Sequence, residues 1–278
     1  MTFAVMMAVL GSALLHALWN SLIKTGTSRL GATVILSLGE VPIGIAVALF
    51  CKVPTWEVMP WVIASGLTHF FYKFFLTYAY ARGDLSRVYP LARGTAPLIV
   101  GVVSTSFLGE PLTLLQFAGV MVLGFGILMM AGGVLWGGEN RRMIPFALGS
   151  AVATALYTLI DGHGARVAGD PVAYVAWVFI ADGSIFAGGI LAWKGWAILP
   201  KERRPWTAGM IAAASSYAAY GISVWAMTVA PISLVAALRE TSILFAVAIG
   251  ALFFHEKISK AKTLAAFVIV SGVVLTRL

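Results

Sequence analysis

The chain has 278 residues, of which 60% are hydrophobic and 11% charged, with a mean hydropathy of +0.93. A water-soluble domain of that composition would expose large apolar patches, so the reading is a polytopic membrane protein in contact with a lipid bilayer; at about 20 residues per crossing the length holds about ten crossings and no soluble domain. The net charge of +8 is spread over loops instead of one stripe, which argues against a nucleic-acid partner, while the single cysteine, Cys51, and four scattered histidines give no disulfide, thiolate cluster or metal-binding spacing, so no cofactor is expected.

Apolar runs between charged or Gly/Pro-rich breaks predict helices at 3–23, 31–50, 58–80, 86–108 and 114–135, then at 144–164, 171–193, 206–229, 232–254 and 261–277. The first run lacks a basic flank and is read as a retained helix, not a signal peptide. It gathers His16, Trp19 and Asn20 within about one turn. Helix two carries Glu40 near its middle, and helix three carries His69, Tyr72 and Lys73. Helix four carries Tyr89 and, about seven residues in and so roughly 10 Å deep, Arg93. Glu110 follows it and is expected to cap the next helix with help from Thr113, as Glu256 and Ser259 do later. After the polar hinge WGGENRRM, helix six brings Tyr157 and Thr158, with Asp161, His163 and Arg166 expected near the membrane interface. Asp182 is central in helix seven, Tyr217, Tyr220 and Trp225 lie in helix eight, and Arg239 and Glu240 lie in helix nine.

The chain contains itself twice. Residues 91–113, LARGTAPLIVGVVSTSFLGEPLT, return as residues 237–259, ALRETSILFAVAIGALFFHEKIS, at a constant offset of 146. Arg93 falls on Arg239, Thr95 on Thr241, Glu110 on Glu256 and Gly126 on Gly272, while the start of each half, Gly11 to Trp19 over Gly149 to Tyr157, matches at an offset of 138. The halves divide at 1–138 and 139–278, five helices each. An odd number of crossings makes the second copy enter from the opposite side, so the expected fold is an all-α integral membrane protein of ten transmembrane helices in two inverted five-helix repeats. Glu40 and Asp182 are mates at an intermediate offset of 142, whereas Lys73 falls on Ala219 and Gly94 on Glu240. Such mismatches are where a substrate with one distinctive end is to be sought.

Glu40, Lys73, Arg93, Asp161, Asp182, Arg239 and Glu240 are ionisable residues inside proposed helices, each costing about 2.5–3.5 kcal/mol if it faced lipid, so they face a cavity or each other. Arg93 and Arg239 lie at mirrored depths and suit carboxylate or phosphate by bidentate hydrogen bonding; the bland alternative is that each pairs with an acid across the bundle. Around them, Tyr89, Glu240, Lys73, His16, Trp19, Asn20, Tyr157, Tyr217 and Tyr220 are candidate substrate contacts. Glu40 and Asp182 are candidates for carrying a proton or other coupling ion, or else partners for Lys73 or an arginine. Thirteen Lys and Arg in the odd-numbered loops, against three in the even loops and termini, put the odd loops in the cytoplasm and both termini outside.

Through PLARGTAPL with LGEPLT, ALRETS with FHEKIS, and HALWN in helix one, essentially the whole chain resembles the drug/metabolite transporter superfamily, in its ten-helix branch with two EamA repeats. The resemblance implies an export or exchange carrier with a central cavity lined by helices one, three, four, six, eight and nine, leaving Glu40 and Asp182 outside that lining. It also implies cytoplasmic termini, against the charge count. Helix one lacks the glutamate of the small multidrug branch, so that proton mechanism does not transfer. The expected function is a secondary transporter of the inner or plasma membrane that moves a small polar, anionic or zwitterionic metabolite such as an amino acid. Efflux of hydrophobic cations stays open, as does, more remotely, an integral membrane enzyme acting on lipid.

Overall fold

The computed structural model describes residues 1–23, 28–82, 85–130, 141–254 and 259–277. The first half forms α1 (Phe3–Ile23), α2 (Arg29–Ala48), α3 (Met59–Tyr80), α4 (Leu85–Ser106) and α5 (Leu114–Met130). The second forms α6 (Ile144–Ala168), α7 (Pro171–Lys194), α8 (Arg203–Val229), α9 (Ile232–Arg239), α10 (Ser242–Phe254) and α11 (Lys260–Leu275). No strand occurs among the described residues. Predicted helix nine is therefore two pieces, broken at Glu240 and Thr241.

Among the described residues, five stretches are long and apolar enough to cross a membrane by length and composition: Phe3–Leu22, Arg29–Ala48, Arg141–Ala168, Pro171–Lys194 and Ile232–Ile249. The last joins α9 to α10, so the broken helix reads as one span. α3 and α4 carry buried polar side chains, His69 and Lys73 in the first and Arg93 in the second. Outward the surface is greasy, with Phe125, Leu252 and Phe267 exposed.

The closest packing runs between halves. α1 lies on α8 and α3 on α6, α2 lies on α7, and α5 lies on α11. First helix meets third, second meets second and fifth meets fifth, which is the pattern of two copies related by a pseudo-two-fold axis. Each half completes its core with the other. At the α5–α11 contact, a Cβ added to Gly272 would lie 2.6 Å from the Leu123 backbone nitrogen, and one added to Gly119 would lie 2.7 Å from that of Thr276. Only glycine lets the backbones come this close.

Several ends are capped locally. Thr113 and Gln116 exchange side-chain bonds with each other's backbone N–H at the start of α5, and Ser259 accepts from the Lys262 N–H at the start of α11. Glu110 corrects the sequence expectation. Its carboxylate accepts from the Ile232 N–H at 2.9 and 3.0 Å, capping α9 of the other half instead of the helix that follows it. Arg166 clasps the same carboxylate at 2.8 Å and donates to the carbonyls of Met227 and Ala230. The clasp ties both halves together at one end of the bundle. The Glu256 equivalent lies outside the described residues.

Candidate functional site

Arg93 projects from α4, and Arg239 is the last residue of α9; both are at most 3% exposed. They converge on a single oxygen, Glu240 Oε1, at 3.2 Å from Arg93 Nη1 and 3.4 Å from Arg239 Nη2. Two guanidiniums thus share one carboxylate oxygen. Its walls are aromatic and hydroxyl-bearing. Arg93 Nη2 lies 2.6 Å from His16 Nε2 and donates to Tyr72 OH at 3.1 Å, while Arg239 donates to Tyr157 OH at 3.4 Å and Thr158 Oγ1 at 3.3 Å. The Arg93 guanidinium lies 5.5 Å from the Tyr72 ring, and that of Arg239 lies 5.6 Å from the Tyr157 ring and 5.8 Å from that of Tyr220. These distances fit cation–π contact.

The break in the ninth span builds this site. Around Glu240 the backbone tightens into i→i−3 bonds, from Thr241 N–H to Leu238 O and from Ile243 N–H to Glu240 O. This turns Glu240 toward Arg93, beside the start of α10, whose positive dipole end favours an anion. The first half has Gly94 here. A Cβ at Gly94 would meet Ile127 Cγ2 and the Leu128 nitrogen at 3.0 Å, so α5 leaves no room for a side chain. Close helix packing thus explains the mismatch between the copies.

A second charged group lies between α2, α3, α7 and α8. Lys73 Nζ donates to Asp182 Oδ2 at 2.7 Å, to Ser37 Oγ at 2.8 Å and to Glu40 Oε2 at 3.0 Å, and Ser216 donates to Glu40 Oε1 at 2.9 Å. All three charged residues are buried. Asp182 Oδ1 is buried without a hydrogen-bond partner among the described residues. α3 meets α7 as α8 meets α2, and where Lys73 bonds to Asp182 in the first contact, Ser216 bonds to Glu40 in the second. Ser216 lies one turn before Ala219, the position that the sequence offset pairs with Lys73.

A third carboxylate, Asp161, was expected near the interface and is fully buried. Tyr174 OH donates to it at 2.9 Å, and Tyr220 OH donates to its other oxygen. His69 stacks on Tyr157 with ring centres 4.0 Å apart and meets Tyr220 edge-on at 5.4 Å. Tyr220 and Tyr157 thus link this acid to the arginine centre.

The structure gathers Arg93, Arg239, Glu240, His16, Tyr157 and Tyr220 into one group. Trp19 joins through a 3.2 Å bond from Nε1 to His16 Nδ1, and Asn20 donates to the His16 carbonyl at 2.8 Å. Lys73 lies apart, held by Glu40 and Asp182. Tyr217 packs on Phe179 with ring centres 4.9 Å apart, away from the guanidiniums. Tyr89 lies in α4, its side chain outside the described residues. Sequence reasoning gave little weight to Asp161 and missed Tyr174, Ser37 and Ser216. Hydroxyls are too common in membrane helices to mark a site, and the near-terminal position of Asp161 concealed its depth.

The profile of the EamA-like transporter family matches residues 3–132 and 141–278, one repeat each and nearly the whole chain. The chain belongs to the EamA-like transporter family. Membership makes it a multi-pass membrane protein of the drug/metabolite transporter kind and accounts for the duplication and the apolar helices. In fold this EamA-like chain is similar to a protein of known crystal structure, with a TM-score of 0.78 over 99% of this chain and 98% of the other at 19% identity. No curated protein matches it.

Proposed function

We propose that this EamA-like protein is a secondary transporter, with ten crossings in two inverted repeats, that moves a small anionic or zwitterionic metabolite across the cell membrane by alternating access. The observation that carries this reading is the sharing of one Glu240 oxygen by Arg93 and Arg239. Guanidinium forks bind carboxylate or phosphate groups bidentately, and two of them converge here. Glu240 Oε2, buried without a partner among the described residues, offers a counter-charge for the amine of a zwitterion. The aromatic wall of Tyr72, Tyr157 and Tyr220 favours a flat or apolar remainder.

The test is a thermal-shift screen of purified protein, since a ligand that binds the folded state raises the melting temperature. Amino acids and other carboxylates stabilise the wild type, Arg239→Gln and Arg93→Gln proteins lose that response, and wild-type liposomes accumulate the same solute where the variants do not. Folded, inserted variants that transport as well as wild type sink the proposal. Stabilisation by lipophilic cations alone moves the assignment to the hydrophobic-cation reading.

A further inference from the structure

We infer that the buried group of Glu40, Lys73 and Asp182 is a proton-binding site that takes up one exchangeable proton on its carboxylate pair. Two carboxylates around one ammonium leave one negative charge uncompensated, and the three side chains are no more than 7% exposed. Besides the pair itself, the groups bonded within this cluster come from three elements. α3 supplies Lys73, α2 supplies Ser37, and α8 supplies the Ser216 hydroxyl, which leaves Lys73 as the one cation among the described residues there. The Phe186 ring, 5.4 Å from Lys73 Nζ, closes another side with apolar surface.

The four carboxylate oxygens are served unequally. Glu40 accepts from Lys73 on one oxygen and from Ser216 on the other, while Asp182 accepts from Lys73 on Oδ2 and leaves Oδ1 bare. A buried anionic oxygen without a donor is the costly case; a neutral acid there is far cheaper. One proton held by the carboxylate pair therefore removes the uncompensated charge. The asymmetry between repeats makes the site exchangeable. A second lysine in place of Ser216 would cancel both charges permanently, whereas a hydroxyl leaves one charge for a mobile proton to cancel.

Occupancy is tested by infrared spectroscopy of the full-length protein in lipid, titrated across the physiological pH range. The expected result is a carbonyl stretch from a protonated carboxyl that fades as pH rises and is missing from both Asp182→Asn and Glu40→Gln, because either substitution leaves Lys73 facing one carboxylate. Glu110→Gln keeps the band. A wild type without the band at any pH, or a band that survives both substitutions, overturns the inference. Movement of the proton with substrate rests on the transporter reading and is read separately: an imposed pH gradient changes wild-type flux in liposomes and leaves Asp182→Asn flux unaffected. Gradient-independent wild-type flux refutes coupling, whereas absence of flux at every pH counts against the transporter reading and leaves the infrared result standing.

Discussion

The arginine centre and the lysine triad are built on one plan with the charges reversed. In the first, the repeat mates Arg93 and Arg239 share Glu240; in the second, the repeat mates Glu40 and Asp182 share Lys73. In each, duplication supplies the like-charged pair and one half alone supplies the opposite charge. Glu240 exists because the second half leaves room that α5 denies at Gly94, and Lys73 exists where the other half keeps the hydroxyl of Ser216. The triad is thereby left one negative charge from neutrality. A symmetric scaffold becomes a selective site by drifting at single positions.

The sharpest way to break this comparison is to remove the shared residue of the triad. Lys73→Met leaves two carboxylates facing each other in an apolar setting and should cost about 3–5 kcal/mol of stability, read from chemical unfolding in micelles; an unchanged unfolding midpoint would show that the triad carries no such charge imbalance. The corresponding change at the arginine centre, Glu240→Gln, keeps an acceptor for the two guanidiniums but removes its charge, and should cost about 1.5–3 kcal/mol by the same measurement. Asp182→Asn removes one carboxylate from the pair and balances Lys73 against Glu40, so only about 1 kcal/mol, the worth of one hydrogen bond, should be lost. Equal penalties for Asp182→Asn and Glu240→Gln would mean that the two groups do not differ in charge balance. Smallest is Ser216→Ala, about 1 kcal/mol or less by the same unfolding measurement, for the loss of one hydrogen bond to Glu40.

Much of this was legible before the fold. The recurrence of Arg93 at Arg239 identified the pair that meets at Glu240, and the intermediate offset of 142 marked Glu40 and Asp182 as mates. Charges are rare in so apolar a chain, so each that recurs is a strong signal. What was not legible was partnership. Lys73 reads equally well as a substrate contact beside the arginines or as a partner for carboxylates, because sequence spacing along α3 does not say which helix faces it. The burial of Asp161 was hidden for the same reason: it lies toward the end of α6, but α7 and α8 close over it with Tyr174 and Tyr220. Glu110 was placed on its own following helix, whereas the docking of α9 against the α4–α5 turn gives it the other half to cap.

Composition, hydrophobic periodicity and internal repetition are properties of the chain itself, and by themselves they determined an all-helical membrane protein made of two copies of one unit, with its rare charges in matched places. Tertiary structure decided which of those charges meet, where the ninth span breaks, and that Ser216 answers Lys73. The bonds of Lys73 to Asp182, Arg93 to Glu240 and Ser216 to Glu40 join helices from opposite halves and residues more than a hundred positions apart. No local pattern encodes them, because the energy that fixes them arises only when each half buries its polar face against the other.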